Sequence, residues 1–216
     1  MTSSSRTRSA GKGNGTVSTL TDDDLSSNAQ RERRKRILDA TLALASKGGY
    51  EAVQMRAVAE RADVAVGTLY RYFPSKVHLL VSALAREFEK IDSRKKMPPG
   101  DSPIERMNLI LGQITRAMQR DPLLTEAMTR AFMFADASAA AEVDQVGQLM
   151  DSLFARAISD GTPSEEQLQI ARVVSDVWLS NLVAWLTRRS SATDVAKRLE
   201  LTIELLLGGY QDPATS

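Results

Sequence analysis

From residue 28 onward, apolar side chains recur at helical spacing along most of the chain. Ile37, Ala40, Thr41 and Leu44 fall at i, i+3, i+4 and i+7, the signature of an amphipathic helix. Gly48-Gly49 predicts its end, because glycine takes the left-handed conformation at low cost. Met55, Val58, Ala59 and Ala62 repeat the pattern in a short second helix, and Asp63-Val64-Ala65 is a tight connection. A third helix is predicted over about Val66 to Tyr72, broken by Phe73-Pro74-Ser75. Ser75 then caps a longer helix whose stripe is Val77, Leu80, Val81, Leu84, Phe88 and Ile91.

Lys95 to Gly100 reads as a stop and as a hinge between two domains. Ser102-Pro103-Ile104-Glu105 and Asp121-Pro122 read as helix starts, and a break is expected near Asp136 to Ser138. Ser164 to Gln167 and Ser191 to Asp194 open the last two helices. No segment alternates as a strand would, so the expectation is all-α with about nine helices.

Composition narrows the function. The 216 residues contain no cysteine and one histidine, His78. Thiolate metal sites, cysteine nucleophiles and two-histidine metalloprotease motifs are thereby excluded. No apolar run reaches the length of a membrane span or a signal peptide, so a cytoplasmic protein is expected. The net charge of +1 conceals a division. Residues 1–27 are neutral, residues 28–80 carry +5, and residues 81–216 carry −4. A basic segment on an otherwise acidic chain suggests an anionic partner at one end. Residues 1–27 hold twelve Ser or Thr and three Gly, too polar to offset their ordering entropy, and read as a disordered tail. The functional alternative is a basic arm touching DNA through Arg6, Arg8 and Lys12.

The segment Val53 to Lys76 reads helix, three-residue turn, short helix, then a capped longer helix. In a basic region this suits a helix-turn-helix, whose second helix enters the major groove. Leu69 and Phe73, at i and i+4, would face the core, leaving Thr68, Arg71 and Tyr72 pointing outward. Gly67 would let the backbone approach a duplex closely. Arg31, Arg33, Arg34, Lys35 and Arg36 crowd the start of the first helix. Cations are disfavoured there by the helix dipole, which points to an external anion such as phosphate.

The stretch from Gly67 to Lys76, with Ala59, Glu60, Arg61, Ala62 and Val64 before it, resembles the DNA-binding domain of TetR-type transcriptional repressors. The resemblance is strong over residues 30–80. It implies a DNA-binding domain at 28–80, a lever helix continuing to about 94, and a ligand-binding and dimerisation domain at 101–210. It also implies that Arg56, Val66, Gly67 and Arg71 meet base edges, that Thr68, Tyr72 and Lys76 hold phosphates, and that Tyr70 does either. Arg34 is the first-helix cation assigned to phosphate. Two departures stand out. Asp63 replaces the usual turn glycine, and Ala65 the usual capping serine, with Asp63 as the alternative cap.

Beyond residue 100, Met107, Met118, Met128, Met133 and Met150 accompany Phe132, Phe134 and Phe154. Such residues fill cores or line adaptable apolar pockets. The resemblance implies a pocket, placed near Leu111, Met118, Met150, Phe154, Trp178 and Trp185. A closer resemblance, over Gln30 to Leu80 and Asp121 to Val146, is to cholesterol-catabolism repressors within the family. It implies a steroid coenzyme A thioester as effector, with Arg106, Arg116, Arg120 and Arg130 as candidates for its phosphates. The stripes Ala171, Val174, Trp178, Leu182, Trp185 and Leu199, Ile203, Leu206, Leu207 are either core or, as in the family, a dimer interface. A palindromic operator requires a homodimer. No cofactor, metal or catalytic residue is implied. The alternatives are a regulator sensing cationic drugs through acids such as Asp144, Asp151 and Asp176, and a hydrolase. The hydrolase lacks the G-x-S-x-G motif and a well-placed histidine.

Overall fold

The computed structural model describes residues 27–92, 100–159 and 161–209, so the proposed tail and hinge lie almost wholly outside it. Ser27 is the exception within the tail: it caps the first helix, in a reciprocal pair with Gln30. Nine α-helices and one 3₁₀ turn, with no strand among the described residues, make up the fold. They are α1 (Asn28–Ala52), α2 (Met55–Arg61), α3 (Val66–Tyr72), α4 (Lys76–Asp92), α5 (Pro103–Arg120), α6 (Pro122–Met133), α7 (Ala140–Ile158), α8 (Glu165–Leu186) and α9 (Ala192–Leu207). The 3₁₀ turn Ala137–Ala139 fills the expected break before α7.

Local chemistry explains most boundaries. Gly48 and Gly49 leave helical geometry inside α1. Gly49 has φ +65° and backs onto Leu123 and Glu126 of α6, a conformation that favours glycine. Ser102, Asp121, Ser164 and Ser191 each accept a backbone N–H at the start of α5, α6, α8 and α9. The last carbonyls of α7, at Ala157 and Ile158, accept from the buried guanidinium of Arg106.

The apolar faces join one connected core running from Ile37 to Leu207. α1 packs on α2, α4 and α6, and α4 also packs on α6 and α7. α5 lies on α7 and α9, while α8 packs on α7 and α9. The long helix α4 thus touches both the helix-turn-helix support and the later helices. His78, near its start, is buried and bonds Ser75 and the carbonyl of Ser138. It ties α4 to the 3₁₀ turn and is structural.

Candidate nucleic-acid interface and effector cleft

The turn between α2 and α3 is made without glycine. Asp63 takes φ +53°, which Asp tolerates better than most residues. No side chain caps α3: Ala65 stands at the cap and Asp63 does not substitute for it. Leu69, Tyr72 and Phe73 anchor α3 in the core. Tyr72 therefore does not point outward as expected. It is 3% exposed, because i, i+3 spacing places it on the face of Leu69. Only an edge of it reaches a small concavity shared with Arg33, Arg36, Thr68 and Arg71.

The remaining α3 positions form an outward face. Val66, Gly67, Tyr70 and Arg71 are exposed, Thr68 is half-buried, and Arg56 at the start of α2 is exposed. A Cβ on Gly67 would meet nothing within 4 Å, so no packing inside the chain calls for glycine there. α1 brings its cations alongside. Arg36 donates to the carbonyl of Ala62 at the end of α2, at 3.3 Å. Arg34 lies 5.7 Å from the Phe73 ring centre. Arg86 of α4 bridges to Asp39 of α1 at 2.8 Å.

Lys76 sits at a junction the sequence did not reveal. Its ammonium donates to the Tyr50 carbonyl at 2.8 Å and lies 3.7 Å from the centre of that ring. Arg130 of α6 approaches the same ring at 4.3 Å and pairs with Glu51 at 3.1 Å. Desolvation by burial holds the Lys76 pKa below its ordinary value, with Arg130 adding to this and Glu51 and Glu126 opposing it. Higher up α1, Ser46 donates to Asp121, the cap of α6. The end of α1 is therefore bound to α6 by polar contacts from Ser46 to Glu51.

Four of the six residues proposed as a pocket lining, Leu111, Met150, Phe154 and Trp178, sit in the core, and two, Met118 and Trp185, are partly buried. Trp178 donates to Thr115 at 3.0 Å and meets Phe88 edge-on at 6.2 Å. A cleft of about 640 Å³ lies beside them, lined by Ile91 of α4 and by Gln113, Ile114, Arg116, Ala117, Gln119 and Arg120 of α5. None of the six proposed lining residues borders it. Of the four candidate arginines it contains two. Arg106 is committed to α7, and Arg130 to Tyr50 and Glu51. Trp185 borders a different concavity, with Arg188 and Arg189 at the α8–α9 turn.

The two apolar stripes of α8 and α9 face the chain's own core. Ala171, Val174, Trp178 and Leu182 are buried against it, as are Leu199, Ile203 and Leu207. The outward apolar residues are instead Val173 on α8 and Leu201 and Leu205 on α9, with Leu205 76% exposed. No described helix is long and apolar enough to cross a membrane. Among the described residues, no group of three or more acids or histidines is placed to hold a metal ion.

This geometry is that of a helix-turn-helix regulator carrying a second helical unit, and comparison with known proteins agrees. Residues 37–83 match the model of bacterial regulatory proteins of the tetR family, and residues 100–206 match that of the tetracyclin repressor-like C-terminal domain. The chain belongs to the TetR family. It is 83% identical over 208 residues to the HTH-type transcriptional repressor KstR of Rhodococcus jostii RHA1, covering 96% of this chain and 97% of that protein. It is accordingly a KstR-like transcriptional repressor. A TetR transcriptional regulator from Rhodococcus sp. RHA1 superposes with a TM-score of 0.79 at 32% identity, covering 86% of this chain and 100% of that one. The fold is also shared by the regulator FadR from Bacillus subtilis, solved with stearoyl-CoA (TM-score 0.57, 17% identity, 82% and 99% coverage).

Proposed function

We propose that this repressor binds a palindromic operator as a homodimer in the cytoplasm and is released by a bulky apolar acyl effector carried as a coenzyme A thioester. A steroid acyl group is the first choice, which would place genes of sterol or lipid catabolism under its control. Residues 28–80 are the proposed DNA-binding domain, and 101–210 the effector and dimerisation domain.

The observation that carries the DNA reading is the outward face of α3. Val66, Gly67, Tyr70 and Arg71 are exposed there, and Gly67 has open space where a side chain would sit. With Arg56 they would meet base edges in the major groove. Thr68, Lys76, Arg34 and the edge of Tyr72 would hold phosphates, which set register. The Lys76 ammonium has three donors, and Tyr50 takes one of them.

The effector reading is supported by likeness to KstR and by a cleft that joins apolar and cationic walls. The acyl group would spread α4 from α5 and reach Leu111, Met118, Met150, Phe154, Trp178 and Trp185, where methionines adapt to shape. Binding must favour the released state, or it would shift nothing. The path to the operator would run through α4 and through the α1–α6 contacts at Ser46, Tyr50 and Glu51. A cationic drug is disfavoured. Asp144 and Asp176 are exposed, Asp151 bonds Ser175 and Arg172, and none of the three borders the cleft. Competition tests the reading: a steroid coenzyme A thioester should displace operator DNA, whereas a cationic dye should not. The reverse result would overturn it.

A further inference from the structure

Three cations from two helices converge on one hollow beside the outward face of α3. Arg33 and Arg36 of α1 and Arg71 and Thr68 of α3 border a concavity of about 300 Å³. Arg36 and Arg71 are exposed and Arg33 is half-buried. None of the three arginines is paired with a carboxylate among the described residues. Asp63 is the one acid on the rim, so the hollow keeps a net positive charge. By contrast Arg86, Arg130 and Arg172 each meet carboxylates.

The sequence places an opposite charge next to this hollow. Asp22, Asp23 and Asp24 are the sole charged residues between Lys12 and Arg31. They end three residues before Ser27, the cap of α1. An extended chain spans at most about 3.3–3.6 Å per residue, so Asp24 reaches roughly 10 Å from Ser27 and Asp22 roughly 17 Å. Arg33 and Arg36 lie six and nine residues into the helix, roughly 9 and 14 Å along its axis. The acids are therefore within reach of both arginines. The first turn of α1 contains no acid of its own, and carboxylates near a helix N-terminus are favoured by its dipole. Paired guanidinium forks accept a carboxylate in the same geometry as a phosphate.

We propose that Asp22 to Asp24 dock on Arg33, Arg36 and Arg71 when no DNA is bound, as an intrachain substitute for operator phosphates. The triplet then competes with any duplex for these cations and lowers affinity for all sequences by a common factor. Because the contact is electrostatic, salt weakens it. The proposal rests on the α3 reading above and adds to it a built-in competitor.

The experiment uses the full chain and its Asp22→Asn/Asp23→Asn/Asp24→Asn variant. A control, Asp101→Asn/Asp144→Asn/Glu166→Gln, makes the same change of net charge at exposed positions of the later helical unit. Anisotropy of a labelled palindrome from a promoter this protein controls, and of a scrambled duplex, measures affinity. The tail variant should bind both duplexes at least about fivefold more tightly than wild type at low salt, and the gain should vanish at high salt. The control should gain less than about twofold, because distant exposed charges are screened. A direct reading comes from Arg33→Lys, which keeps the charge and supplies an amine. Carbodiimide treatment followed by peptide mapping should join that amine to residues 22–24, and the palindrome should suppress the coupling. An unchanged or weakened affinity in the tail variant would overturn the proposal. So would an equal gain in the control, or the absence of coupling to residues 22–24. Coupling to residues 22–24 with no duplex bound by the wild type at any salt would uphold the contact and overturn the α3 reading instead.

Discussion

Lys76 rests 3.7 Å from the centre of the Tyr50 ring and donates to the same residue's carbonyl at 2.8 Å. The first residue of α4 is thereby fastened to the end of α1, and Arg130 fastens α6 to the same ring. A partly desolvated cation over an aromatic face contributes about 0.5–2 kcal/mol. Tyr50→Leu keeps the carbonyl and the apolar bulk but removes the ring face. It should destabilise the protein by about 1–2 kcal/mol in urea unfolding. A change below a few tenths would mean the ring contact contributes nothing.

Gly67 allows stability and binding to move in opposite directions. It lies in α3 with open space around it. Gly67→Ala should stabilise the chain by up to about 1 kcal/mol through helix propensity. If the α3 backbone approaches DNA, the same substitution should weaken operator binding. Raised stability with unchanged operator affinity would place α3 farther from the duplex.

The uncapped start of α3 offers a gain. Ala65→Ser should supply the missing cap and add about 0.5–2 kcal/mol. Thermal unfolding would register it as a raised midpoint. An unchanged midpoint would show that the cap geometry at Ala65 does not admit the hydroxyl.

Dimerisation can be tested where the apolar surface lies. Leu201→Glu with Leu205→Glu alters exposed positions. It should give a monomer with helicity intact, read by sedimentation and circular dichroism. Val174→Glu would instead bury a charge inside the chain, since Val174 is 1% exposed, and should unfold it. A dimer that survives the double change on α9 would exclude this face as the interface.

Much of the fold was legible because caps and breakers are local. Ser102, Asp121, Ser164 and Ser191 mark their helices in sequence and structure alike. On α3 the period read from Leu69 and Phe73 left Thr68, Arg71 and Tyr72 outward; Arg71 is exposed and Thr68 half-buried, but Tyr72, three residues after Leu69, shares its buried face. Contacts distant in sequence left no such mark. Nothing local joins Ser46 to Asp121, or Tyr50 to Arg130. Periodicity also cannot say whether a stripe faces its own core or a partner, which is why Val174 and Ile203 served both readings until packing separated them from Leu201 and Leu205. Of the four arginines offered for phosphates only Arg116 and Arg120 border the cleft, and nothing local in the sequence separates them from Arg106 and Arg130.

Recognition of specific DNA by α3 is the central claim, and one titration tests it most directly. Anisotropy of a labelled palindrome from a promoter this protein controls should be followed across salt concentrations, beside a scrambled duplex. The palindrome should bind at least about 10³-fold more tightly than the scrambled control, and log affinity should fall linearly with log salt. The preference should collapse in Arg71→Ala, while binding to the scrambled duplex stays. Equal affinity for both duplexes, or a preference untouched by Arg71→Ala and Arg56→Ala alike, would contradict the account.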